Sequence, residues 1–119
     1  MAELFPLIIR EPVPRAKLGD AVFPGFEDMV KAVVDVSREV MAIGGEMHAD
    51  EESVLLEDGS AQSTLWGINL YLDQRGADAI EFDSLINLRP SQNNRTRGVE
   101  SEELRASIIR IVLQLVPEL

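Results

Sequence analysis

After Pro90 the chain runs SQNNRTRG, a stretch without one apolar side chain. Ser91, Asn94 and Thr96 bring hydrogen-bonding groups to it. Arg89, Arg95 and Arg97 bring guanidinium forks that fit a carboxylate or a phosphate. Backbone N–H groups just before a helix add to such an anion site. The chemistry expected of the Arg89–Gly98 loop is therefore binding, of a small anionic ligand or of a protein partner. The plainer account is a solvated loop whose amides bond their own backbone and whose arginines pair with the chain's many acids. Glu100, Glu102 and Glu103 follow closely and would repel an anion.

A second constellation surrounds the single histidine. His48, Asp50 and Glu51, with Glu81 or Asp83 brought across a sheet, could bind a divalent metal or act as acid and base in a small metal-dependent hydrolase. A histidine beside a helix cap is more often a capping or surface residue. HADEE superficially resembles the histidine–glutamate core of zinc deaminases, but those need a cysteine pair and this chain has no cysteine. Disulfides and thiol nucleophiles are excluded with it. The acidic run Glu46 to Asp58, without lysine or arginine, would suit a basic partner or the Arg95–Arg97 loop of a second copy, although a solvated helix face explains it as well. No nucleophile elbow, phosphate loop or dinucleotide glycine pattern is present. A non-enzymatic binding module without cofactor is the preferred reading, and the hydrolase is the alternative.

At 119 residues the chain is expected to be one domain. Its 45% apolar and 27% charged content is that of a soluble globular protein. A net charge of -10 disfavours nucleic acid and anionic membranes as partners. MAELFPLIIREP has no basic leader and a short apolar run broken by Pro12, and no run approaches a membrane span; a cytoplasmic location is expected.

The elements that would position these residues follow from periodicity. Leu4–Arg10 reads as a strand, at an edge because of Pro6, and Arg15–Val22 as a short helix led by Pro14. Met29–Val36 and Glu39–Met47 read as a hairpin turning at Ser37–Arg38, with Gly44 and Gly45 marking a bulge or close backbone approach. Asp50 is expected to cap a helix to Asp58, closed by Gly59. Leu65–Leu72 is a strand with Trp66, Ile68, Leu70 and Leu72 on one face, and strict alternation predicts another over Ile80–Arg89, antiparallel to it. Ser101 caps the last helix, whose stripe is Leu104, Ile108, Ile111, Val112 and Leu115, stopped by Pro117. The order β-α-β-β-α-β-β-α predicts an α+β fold, an antiparallel or mixed sheet of about five strands with helices on one face.

The runs VKAVVDV, VMAIGGEMHADEE, LWGINLY and IEFDSLINLRPSQNNRTRGVE closely resemble a bacterial protein family defined only as a domain of unknown function, from about Phe26 to Val112. The resemblance implies a small soluble bacterial protein and carries no activity or site residues. Asn93 and Thr96 stand where that family's pattern has glycine and serine.

Overall fold

A computed structural model describes residues 4–119. The first three residues of the opening stretch MAELFPLIIREP lie outside the described residues. Among the described residues five strands form one sheet: β1 (Leu7–Ile9), β2 (Met29–Asp35), β3 (Val40–Ile43), β4 (Leu65–Tyr71) and β5 (Ile80–Glu81). Their order is β1-β3-β2-β4-β5 and every pairing is antiparallel. Three α-helices accompany them in the described residues: α1 (Ala16–Asp20), α2 (His48–Glu57) and α3 (Glu102–Leu115). The fold is α+β, as expected.

Alternation along the strands sorts the sheet into two faces. Val30, Ala32 and Val34 of β2, Met41 and Ile43 of β3, and Trp66, Ile68 and Leu70 of β4 pack with the stripe Ile108, Ile111, Val112 and Leu115 of α3. Each large aliphatic side chain buried in this layer stabilises the fold by roughly 1.5–3 kcal/mol. Ser101 caps α3, its side chain accepting from the Leu104 N–H at 3.2 Å. The opposite face buries Val33, Val40, Ala42 and Leu65 against Leu55 of α2. Helices therefore cover both faces, not one. The expectation of a single covered face missed that Val33 of β2 and Val40 and Ala42 of β3 present a second apolar patch on the other side of the sheet.

Several boundaries differ from the periodic reading. The β2–β3 turn has four residues, Val36 to Glu39, because Asp35 Oδ1 accepts from the N–H groups of Ser37 (2.9 Å) and Arg38 (3.1 Å). β3 stops at Ile43, where Gly44 takes φ +95°. A Cβ on Gly45 would lie 2.6 Å from Glu51 Oε1, so the glycine pair marks a close approach. Helix α2 begins at His48, with Asp50 at the third helical position accepting from the Met47 N–H at 3.0 Å rather than at the cap itself. Gly59 follows its end at φ +107°, as expected.

The largest departure lies after β5. Ile80–Arg89 is not one strand: pairing ends at Glu81, and tight turns follow at Leu85–Asn87 and Pro90–Gln92. The alternation is real, but the edge it would pair with is occupied. The Gly67 N–H of β4 donates to Asn87 Oδ1 at 2.8 Å, and Asn87 Nδ2 donates to the Gly67 carbonyl at 2.9 Å. A side-chain amide thus replaces a strand. Asn93 ends the second turn at φ 60°, keeping a left-handed bend that asparagine tolerates better than most residues.

Candidate functional site

Seen along the α2-covered face, one end of the sheet is polar. Lys31 of β2, Asn69 of β4 and Glu81 of β5 lie directly opposite one another in register. Asn69 Nδ2 donates to Glu81 Oε1 at 2.8 Å, and the Tyr71 hydroxyl donates to the same oxygen at 2.9 Å. Lys31 is half-buried, lies 5.7 Å from the Phe26 ring, and has no carboxylate within ion-pair distance among the described residues.

Helix α2 starts above this row and places His48 against the sheet, only 7% exposed. Its Nε2 lies 2.8 Å from the Ile68 carbonyl oxygen. A carbonyl can only accept, so Nε2 carries the proton and, in the neutral ring, Nδ1 presents a lone pair. Burial lowers the histidine pKa, opposed in part by the Ile68 carbonyl and the Asn69 side chain, while nearby Lys31 lowers it further. The neutral ring is the favoured form.

The segment after β5 closes the third side. Gly67 lets it approach: a Cβ there would sit 2.6 Å from Ser84 Cβ and Oγ. The Arg97 carbonyl is pinned by the Ser84 N–H (2.9 Å) and by Asn87 Nδ2 (2.9 Å), which sets where the Arg97 side chain emerges. Arg97 Nε donates to Asp83 Oδ1 at 2.8 Å, leaving its terminal nitrogens without a partner among the described residues.

These three elements enclose a cavity of about 230 Å³ lined by Lys31, Met47, His48, Ala49, Ser84, Leu85, Ile86 and Arg97. Its rim is apolar where Met47 (58% exposed) and Leu85 (65% exposed) stand. It is smaller than the roughly 300–1,000 Å³ of drug-sized sites and suits a small molecule.

The structure distributes the sequence-derived candidates unevenly. Arg89 is a structural residue: it donates to the carbonyls of Ile86 (3.0 Å), Gln62 (2.8 Å) and Leu65, and stacks 4.2 Å from the Trp66 ring. Asn94 is buried and ties the loop together, donating to the carbonyls of Asn87 (2.7 Å) and Gly98 (2.8 Å) and accepting from the Glu100 N–H at 2.9 Å. Thr96 accepts from the Gly98 N–H, while Ser91 and Arg95 are exposed and stand apart from the cavity. Of the six, Arg97 alone lines it.

His48, Asp50 and Glu51 are turned to separate partners. Asp50 caps Met47, and Glu51 is fully buried with Oε1 accepting from the Gly45 N–H. Among the described residues no group of three histidines or acids is arranged to hold a metal ion. Arg97 and His48, assigned to different candidate sites by sequence, meet in one cavity. Lys31 and Ser84 were missed. The available signal was a lone lysine inside the apolar run MVKAVVDV, at a position alternation places on the same face as Asn69.

No helix among the described residues is long and apolar enough to cross a membrane. The family model described as "Protein of unknown function (DUF5674)" matches residues 7–115. No curated protein and no solved structure matches the chain.

Proposed function

The chain belongs to the DUF5674 family, proteins of unknown function, and for this member we propose a non-enzymatic binding role in which the cavity between β2, the start of α2 and the Ser84–Arg97 segment holds a small anionic ligand. One observation carries the reading: in a chain of net charge -10, both charged side chains lining the cavity are cations, and Lys31 has no carboxylate within ion-pair distance among the described residues. A half-buried cation costs desolvation energy that an ion pair normally offsets. Here a bound anion offsets it. His48 and Ala49, which line the same space, belong to the first turn of α2, the end of a helix that favours negative charge. The binding surface first assigned to the whole Arg89–Gly98 loop narrows to Arg97.

A thermal-shift panel of phosphates, carboxylates, amines and divalent metals tests this. A ligand specific to the folded state adds about 2.7 kcal/mol at a hundredfold excess over its dissociation constant. The expected outcome is stabilisation by an anion class, lost in Lys31→Met and in Arg97→Gln. Stabilisation by cations only, or by anions equally in both variants, would refute the proposal.

A further inference from the structure

Resting on that reading, we infer that the ligand is a small monocarboxylate carrying a short apolar group. Three features of the cavity select it.

The first is the charge available. Lys31 and Arg97 line the cavity, but Asp83 already occupies Arg97 Nε from outside. Glu81 closes the far end of the row that begins at Lys31, and Asp50 sits in the first turn of α2. Two cations with one paired carboxylate leave about one positive charge facing the ligand. This suits a monoanion, and the surrounding acids oppose a phosphate dianion.

The second feature is the set of neutral groups. Ser84 is buried, and its Oγ accepts from the Ile86 N–H at 3.3 Å, so its own hydrogen is available for a carboxylate oxygen. His48 lines the cavity with its Nε2 proton committed to the Ile68 carbonyl, and its ring is neutral, so it adds no positive charge that would draw a dianion.

The third feature is the wall. Met47, Leu85 and Ile86 give the cavity an apolar side, and two of them are largely exposed in a protein whose other large side chains are mostly buried. Covering this side with an alkyl or aryl group takes apolar surface out of water and so favours a ligand that carries one. The volume limits that group to a short one. A free short-chain acid and the C-terminus of a peptide ending in an apolar residue share this chemistry.

Titration calorimetry with hexanoate, hexyl phosphate, hexanol, hexylamine and an acetylated dipeptide ending in leucine separates the alternatives. Hexanoate or the dipeptide is expected to bind at least tenfold more tightly than hexyl phosphate, hexanol and hexylamine, and the stronger of the two identifies the source. Lys31→Met should lose at least tenfold in hexanoate affinity and Lys31→Arg should recover it, with melting temperatures confirming both folds. Asp83→Asn, which frees the Arg97 charge, should narrow the preference for carboxylate over phosphate. Tighter binding of hexyl phosphate than hexanoate, lost in Lys31→Met, would overturn the carboxylate assignment and leave the anion site standing. Absence of binding by every anion would remove both, as would unchanged hexanoate affinity in a folded Lys31→Met.

Discussion

Asn87 and Gly67 exchange two hydrogen bonds, amide to backbone, at 2.8 and 2.9 Å, in the position where a fifth strand would otherwise continue. The same Asn87 Nδ2 also donates to the Arg97 carbonyl. One buried side chain therefore completes the edge of β4 and fixes the backbone from which Arg97 reaches the cavity. Asn87→Ala leaves the buried Gly67 N–H and carbonyl without a partner, at roughly 1–3 kcal/mol per unsatisfied group before relaxation, while the Arg97 carbonyl keeps only the Ser84 N–H. A loss of about 2–4 kcal/mol in urea unfolding is expected, with weakened anion binding in the folded fraction. A change below about 0.5 kcal/mol would mean that the backbone reaches β4 without the amide.

Gly67 and Ser84 form a pair in which one side chain occupies the space the other omits. Gly67→Ala places a methyl group 2.6 Å from Ser84 Cβ and Oγ and 3.2 Å from Ile86 Cγ1. Overpacking of this kind costs about 1–3 kcal/mol. Adding Ser84→Gly to Gly67→Ala should recover part of the loss even though Ser84→Gly alone is destabilising. A double-mutant cycle by denaturant unfolding measures that coupling, and additive losses would show that the clash is relieved elsewhere.

Much of this fold is legible in the sequence because its strong signals are local. The α3 stripe and the Ser101 cap need only helical spacing, and Trp66, Ile68 and Leu70 share a face by simple alternation. The Ile80–Arg89 segment shows why alternation alone fails. Whether such a run becomes a strand depends on whether its neighbour's edge is free, and Gly67 is taken by an amide 20 residues away. The site has the same logic. Arg97 and His48 stand out as residue types, but only the sheet register puts Lys31 beside them. Arg89 looks like an anion ligand until three carbonyls and the Trp66 ring account for it.

The arginines of the polar loop should accordingly separate in their behaviour. Arg89→Ala removes three hydrogen bonds to carbonyls and a stacking contact at 4.2 Å, and about 2–4 kcal/mol of stability should go with them. Arg95 is exposed, and its backbone N–H rather than its side chain bonds Glu100. Arg95→Ala should stay within about 0.5 kcal/mol of the parent and bind anions unchanged. Urea midpoints for the two variants check this, and equal midpoints would contradict the structural role of Arg89.

Glu51 makes stability depend on pH in a direction unusual for a carboxylate. Burial, opposed by the Gly45 N–H, raises its pKa from 4.5 to about 8. Between those values the folded protein keeps a proton that the unfolded chain has released, so unfolding free energy falls as pH rises. This contribution is fully present below pH 4.5, declines towards pH 8 and is absent above it. Its size is on the order of a few kcal/mol, because a tenfold change in a proton-binding constant is worth about 1.4 kcal/mol. Glu51→Gln keeps a carbonyl for the Gly45 N–H and removes the ionisation. Urea unfolding from about pH 5 to about pH 9 should show the variant gaining on the parent steadily with pH, whatever the other acids contribute to both. Parallel curves for the two proteins would place Glu51 in contact with water and rule out the buried neutral acid.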